Sequence, residues 1–575
     1  MRPGEDPTRF LPRNADAILV VPKVRQLGAK LKSLERLKLA SFVAQLQGFA
    51  NAQEYLTALL SQAGVDLRSE EELIRAGIDP DRGLAVGLLA SGFAYTVVPI
   101  ADLGRFEETV ASLARNRLGA GVHTRRGEAA DKAFGFSRAA DAAPELSVVA
   151  HQGFALIGPG DASSQLAASA SLALAESFAG DAGLSASLAR LPATRDLYVH
   201  LSAGSALSRE YGIGECTLSA ELSDDALRLR ADLPRGGKSA APALLEKKEA
   251  PLLLGALPAD AFLVARFSGD PLQLDTVWPR LVGPYVAKAF EESNVDVKSE
   301  LLGNLAPGSV ASLSLAPTAI LSAMPELDVR RTNPFRFLHL VLVVPVKDVA
   351  KADQTLRKIP AVAAGFGAKV EPARRGGKAV YLSSYAQGEG AHFALLGDKV
   401  VMAAPLQRLD QALANSGTEG SARPAPLADP ALRGALESRA VTAVLDFPQL
   451  IRSVKELPAA AWGIGGLAIK ATTVRWLEGM DDVRAVTFGA WGEGGAVQAE
   501  LAVMLTRPEP DVRPERSEAS PAHPERSEAS RAHPERSEAE SRGRPEPRAR
   551  DSHSEAESTP NPERMPKPEA EGGRP

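Results

Sequence analysis

The stretch Val97-Val98-Pro99-Ile100-Ala101-Asp102 returns about 245 residues later as Val343-Val344-Pro345-Val346-Lys347-Asp348. The next residues return too. Leu103, Phe106, Val110 and Leu113 match Val349, Ala352, Leu356 and Ile359, with identical spacing in both series. Steps of three and four residues predict an amphipathic helix lying on a sheet. Asp102 and Asp348 stand at the two helix starts, where a carboxylate meets unsatisfied backbone amides. Further out, Leu11-Pro12 and Ala15-Asp16-Ala17-Ile18-Leu19-Val20 match Leu257-Pro258 and Ala259-Asp260-Ala261-Phe262-Leu263-Val264. A near-constant offset over so long a span predicts tandem duplication of a whole domain.

Each copy reads as an α+β domain: a largely antiparallel sheet with packed helices. Copy one is expected over 11–235 and copy two over 252–506, joined by a small-residue linker at 236–251. In copy one, short apolar runs predict strands at 17–21, 84–89, 93–98, 146–150, 154–157, 197–201, 217–222 and 226–233. One long helical stretch is expected from Leu27 through Leu60, and Gly77 should stop a further helix. Copy two is expected to differ by a loop near Pro317 to Pro334 and by a longer helical region before its last strands.

From Arg507 the character changes. Pro-Glu-Arg-Ser-Glu-Ala begins at Pro514, Pro524 and Pro534, and 507–575 contains no Leu, Ile, Phe, Trp or Tyr. Such a low-complexity segment cannot bury enough apolar surface to offset its ordering, so a disordered tail is expected.

Bulk composition narrows the function classes. The chain has 575 residues, 45% of them hydrophobic, and a net charge of −5, which gives no basic face for nucleic acid. Aromatic residues, at 5%, are too sparse for a base-stacking platform. No apolar run approaches the roughly 18 residues of a membrane span. The lone cysteine, Cys216, can neither close an internal disulfide nor build a zinc site by itself.

No motif carries a chemical assignment, so no catalytic residue, cofactor or metal is expected. The histidines His123, His151, His200, His339 and His392 show no metal-ligand spacing, and none recurs at the matched position. Gly158-Pro159-Gly160-Asp161 lacks the Lys-Ser/Thr of a phosphate loop and reads as a turn with Asp161 capping a helix. One polar feature does recur: Arg125-Arg126-Gly127 and Arg374-Arg375-Gly376, read as basic hairpin tips. They are candidate contacts for an acidic partner or an anionic lipid surface. All four tryptophans lie in copy two. Trp462 and Trp476 flank its longer helical region and are candidate interface aromatics.

The pattern Leu11-Pro12, Ala15 to Val21, a long helical region and then Ala76-Gly77-Ile78-Asp79-Pro80-Asp81-Arg82-Gly83 resembles the DUF3352-like group of bacterial periplasmic proteins and lipoproteins. The resemblance spans both copies. It implies an extracytoplasmic, non-enzymatic envelope protein. No signal peptide or lipobox cysteine precedes Leu11, so either the start lies downstream of a leader or the protein is cytoplasmic. The expectation is a non-catalytic monomer that mimics a symmetric dimer and binds or scaffolds an envelope protein or lipid surface. Binding would use a sheet face or the cleft between copies. The alternatives are an enzyme with its site in one copy, or a purely structural protein.

Overall fold

The structure, a computed structural model, describes residues 6–61, 65–126, 133–211, 214–234, 241–316, 338–365, 367–385, 388–415, 429–458, 462 and 466–506. These belong to one compact unit, Met1–Glu509. The loop expected near Pro317 to Pro334 and the tail from Arg507 lie outside the described residues.

In the first half, β1 (Ala17–Val21) leads into α1 (Val24–Leu34), α2 (Lys38–Leu46), α3 (Ala52–Ser61) and α4 (Glu70–Arg75). Next come β2 (Leu84–Leu88), β3 (Ala94–Pro99), α5 (Leu103–Leu118), β4 (His123–Arg126), β5 (Ala133–Ser137), β6 (Leu146–His151) and β7 (Phe154–Pro159). The half closes with α6 (Ser163–Ala170), α7 (Ala182–Arg190), β8 (Leu197–Leu201), α8 (Ala206–Tyr211), β9 (Cys216–Leu222) and β10 (Ala226–Leu233). A short α9 (Ala241–Leu244) comes next. The second half contains β11 (Leu263–Phe267), α10 (Trp278–Val282), α11 (Pro284–Glu292), β12 (Ser309–Leu315), β13 (Leu338–Pro345) and α12 (Val349–Ala364). It continues with β14 (Lys369–Arg375), β15 (Lys378–Tyr385), β16 (Gly388–Glu389), β17 (His392–Leu396), β18 (Lys399–Ala404), α13 (Leu406–Asn415) and α14 (Pro430–Ser438). It ends with β19 (Val441–Asp446), α15 (Phe447–Glu456), α16 (Gly466–Glu478), β20 (Val483–Glu493) and β21 (Ala496–Leu505).

Every strand pairing among the described residues is antiparallel, as expected for this α+β class. The first half runs β4-β5-β6-β7-β3-β2-β1-β8-β9-β10 across the sheet. The second half runs β14-β15-β17-β18-β13-β12-β11-β19-β20-β21. Both therefore list their strands in the same order from outer edge to last strand. The last strands, β10 and β21, pair with each other and make the sheet continuous. Among the described residues, β4 and β14 are the outer edges.

The helices begin where the carboxylates predict. Asp102 accepts a hydrogen bond from Arg105 N at 3.1 Å and Asp348 one from Lys351 N at 3.0 Å, and each opens a 16-residue helix. In the outer flanks, helices cover both faces of the sheet. In the first half Tyr95, Val97, Phe154 and Leu156 pack with Leu166 of α6 and Leu184 of α7. On the other face Phe134, Phe136, Val148 and Ala155 pack with Phe106 and Val110 of α5. The second half repeats this with α13 and α14 on one face and α12 on the other.

Several local expectations need correction. The long helical stretch from Leu27 to Leu60 is three helices, broken at residues 35–37 and 47–51. Asp161 caps nothing: the cap position is Ala162, and buried Ser147 closes the turn instead. The Ser147 Oγ donates to Gly160 O at 2.7 Å and accepts from Ala162 N at 3.1 Å. The described part of the linker is anchored, with Lys248 N donating to Ser268 O and Gly492 N to Leu245 O, both at 2.9 Å. Gly77 ends α4 as expected, with a φ of 76°, and its backbone packs against the start of α5, Gly77 O accepting from Ala101 N at 2.9 Å and Asp102 N at 3.2 Å. A Cβ there would lie 2.3 Å from Asp102 O and 2.6 Å from Phe106 N. Gly77→Ala is expected to cost about 2–4 kcal/mol, from the left-handed backbone and the displaced α5 start. A urea midpoint within error of wild type would refute this.

Candidate functional site

The centre of the sheet, β8-β9-β10-β21-β20-β19-β11, has two unlike faces. Directly opposed residues share a face, so the strand register sorts them. The face under α7 and α14 is polar and buried. Arg230 stands opposite Glu500, and Asp232 opposite Gln498. Asp232 is fully buried and takes a bidentate pair from Arg190 of α7, at 2.8 and 2.7 Å, with Gln498 as a further donor. Glu500 is held by both Arg230 and Arg439, and the Arg439 guanidinium lies 4.9 Å from the Trp491 ring centroid. Counted from their two-residue turns, Asp224-Asp225 and Gly494-Gly495, Arg230 and Glu500 hold the same place in their respective halves. Two identical copies would set like charges against each other here; these halves set an acid against a base.

The other face of the same strands is apolar. Leu19, Val199 and Leu218 lie on one rung of β1, β8 and β9. Leu229, Leu501 and Phe488 lie on one rung of β10, β21 and β20. Leu229 is 56% exposed, Phe488 44%, Leu218 43%, Leu501 42% and Leu19 37%. At one end α2, α15 and α16 close over this face, where Leu227, Val486 and Val503 pack with Phe447, Ile451 and Leu37. Trp476 of α16 meets Phe42 of α2 edge to face at 5.9 Å, so it bridges the halves while remaining 55% exposed. Trp462 is buried against Val454, Leu457 and Ala316 and is a core residue of the second half, not a surface aromatic.

Beside this closed end, the halves form a cleft of about 660 Å³ bounded by Arg36, Leu37, Lys38, Asp224, Asp482 and Leu505, among others. Asp482 accepts from Leu39 N through both oxygens, at 3.1 and 3.2 Å, pinning the start of α2 across the halves. A second cavity of about 570 Å³ lies beside α1 and α4. Its Arg68 is committed to Asp66 and Glu35, and its hydrogen bond to Asp66 holds that carboxyl below the usual range. No histidine or cysteine lines either cavity. Among the described residues no His, Cys, Asp and Glu group could hold a metal ion.

The basic tips do not converge. Arg125 and Arg126 lie on β4 and Arg374 and Arg375 on β14, the two outer edges of the sheet. Arg126 reaches Glu107 at 2.7 Å and Arg375 reaches Asp410 at 3.1 Å, leaving Arg125 and Arg374 as the members without an acidic partner among the described residues. They also sit on different rungs: Arg375 faces Lys378 at a Gly376-Gly377 turn, whereas Arg126 faces Phe134. Cys216 is a buried β9 residue, and burial pushes its thiol pKa up to about 11, which removes the thiolate a nucleophile needs. His200 is buried against Thr217 Oγ1 at 2.9 Å, and burial lowers its pKa. The seam ion pairs and the apolar centre were not among the residues singled out by sequence.

No family model and no curated protein matches this chain. Among solved structures it has a likeness to TP0453. For crystal form III the identity is 9%, covering 41% of this chain and 81% of that one, with a TM-score of 0.24. For crystal form I the identity is 10%, covering 41% and 80%, again at a TM-score of 0.24. A likeness at that level carries no functional argument.

Proposed function

We propose that this chain is a tandem duplication acting as a non-catalytic binding protein, with the open apolar centre of its sheet as the binding surface. The common strand order of the halves, the paired helix caps and the sequence offset support the duplication. The observation that carries the binding reading is the inversion of the central strands. An antiparallel sheet with one solvated face ordinarily turns its polar side chains to water. Here Asp232, Gln498 and Glu500 are buried and Arg230 is half-buried on the helix-covered face, while Leu229, Leu501 and Phe488 face outward. Exposed apolar patches of this kind mark interaction sites. On the resemblance of its motifs, we assign the protein to the bacterial envelope.

The test is titration of the purified full chain with a solvatochromic naphthalene-sulfonate dye. Saturable binding with enhanced emission is expected, weakened at least about tenfold in Leu229→Glu/Leu501→Glu. The thermal unfolding curve of that variant should stay close to wild type, since both positions are half exposed. Equal dye binding by native and variant protein would defeat the reading.

A further inference from the structure

We infer that the second half carries a histidine latch on the first turn of α13 that opens on mild acidification, while the matching latch of the first half does not titrate. The latch begins with His392, the first residue of β17 and only 4% exposed. Its Nδ1 accepts from Ser383 N of β15 at 3.0 Å. A neutral ring with that nitrogen accepting carries its proton on Nε2, which lies 2.7 Å from Glu389 Oε1. The same Glu389 oxygen accepts from the N–H of Leu406, the first residue of α13, at 2.8 Å. His339 of β13 holds the same turn a second time, its Nδ1 accepting from Arg408 Nε at 3.1 Å. Arg408 is itself buried and paired with Asp260. The charged groups around the two rings are thus Glu389 of β16, Arg408 of α13 and Asp260, which precedes β11.

Both rings must be neutral for these bonds to exist. A proton added to His392 Nδ1 would point at the Ser383 N–H, setting two buried donors against each other. Glu389 offers the imidazolium no new hydrogen bond, since its Oε1 already takes the Nε2–H, and its half-exposed side chain leaves the added attraction screened by solvent. A proton added to His339 Nδ1 would break the Arg408 bond and set a second positive charge beside the guanidinium. Burial and Arg408 already hold the His339 pKa below the ordinary imidazole value, against the opposite pull of Asp260 and Glu389. The opened form, with ordinary imidazoles, takes the proton first. The latch is therefore intact above the ordinary histidine pKa and weakens as pH falls below it. One pH unit below that value, each ring that must stay neutral favours the open form by up to about tenfold.

The first half does the same task without a titratable group. β6 and β7 hold the places of β17 and β18 in the common strand order. Ser147 on β6 stands opposite Gly158, the next-to-last residue of β7, as His392 stands opposite Ala403, the next-to-last residue of β18. Ser147 fastens the start of α6 through its hydroxyl alone.

The experiment is hydrogen exchange of the full chain, read by mass spectrometry at about pH 7.5 and about pH 5.5 and corrected for the intrinsic exchange rate at each pH. That window spans the ordinary imidazole range and stops above that of carboxylates. Protection of peptides covering Ser383 and Leu406 to Leu409 is expected to fall about tenfold, with peptides covering Ala162 to Leu166 unchanged. His339→Gln/His392→Gln should abolish the difference. Should that variant not fold, ring nitrogen-15 labelling of the histidines in the native chain decides, with both rings expected as the Nε2–H tautomer at about pH 7.5. Equal loss of protection in α6 and α13, loss in neither, a difference that survives in the variant, or an Nδ1–H tautomer at either ring would overturn the inference.

Discussion

Glu500→Ala is expected to lower the unfolding free energy by about 3–5 kcal/mol, the cost of breaking a buried ionic group from one side. Glu500 is 4% exposed and is the shared partner of Arg230 on the opposing strand and Arg439. Its removal leaves two guanidinium groups facing each other beneath helices, with no remaining acid bonded to both. Arg230→Met/Glu500→Leu should cost less than the sum of the single changes, since it removes charge as well as attraction. The same carboxylate supplies a pH signature. Burial pushes it up, but Arg439 and Arg230 outweigh burial, so its folded-state pKa lies below the ordinary glutamate value. The unfolded chain then takes the proton first. The stabilisation is fully present above the ordinary glutamate pKa and is lost as pH falls through the folded value. Urea midpoints followed downward from pH 7 should fall more steeply for wild type than for Glu500→Gln. Parallel curves would show that the seam pair contributes nothing to acid stability.

Phe154→Ala is expected to cost a similar 3–5 kcal/mol, through a cavity rather than a charge. Phe154 is fully buried at the start of β7. Its ring lies 5.2 Å from that of Phe10, and the Arg82 guanidinium stacks 3.9 Å over it. The Gln152-Gly153 turn that delivers it has φ of 48° and 76°, a two-residue hairpin connection. Arg82 also donates to Gly153 O at 3.0 Å, so one ring holds together the N-terminal segment, the β6–β7 hairpin and the loop before β2. Phe154→Leu should cost only about 1–1.5 kcal/mol, because most of the volume is kept. A midpoint for Phe154→Ala no lower than that for Phe154→Leu would show that the site collapses to fill the void.

Much of this frame was legible from residue order. The strands at 17–21, 197–201 and 226–233 have the limits their residues predict, because each is a short apolar or alternating run bounded by turn residues. The caps at Asp102 and Asp348 were legible for the same local reason. Shared motifs misled where side chains reach outside their own segment. Asp16 and Asp260 hold matching places in the shared sequence pattern, yet Asp260 takes a bidentate pair from Arg408, at 2.9 and 2.5 Å, and the Arg408 Nε donates to His339. No such partner could be named from spacing, since it comes from a helix some 150 residues away. The arginine tips are a second case. Adjacency to glycine suggested equivalence, but the strand rungs separate them and acids on α5 and α13 claim one of each pair.

By itself the sequence determined the α+β class of the chain, many of its strands and helix starts and the change of character at Arg507, because periodicity, turn chemistry and composition act over a few neighbouring residues. Only the tertiary structure decided which face of each central strand is covered. In Leu227-Arg228-Leu229-Arg230-Ala231-Asp232 the alternation is plain, and taken alone it would turn the arginines to water and the leucines to the core. The fold does the reverse. Arg190, Arg439, Gln498 and Glu500, brought in from distant segments, complete the hydrogen bonding of the buried charges, and burial of a charge is tolerable only with such partners. With those partners in place Leu229 is left outward, while Leu227 packs under the helices at the closed end, and the surface on which the proposed function rests is the result.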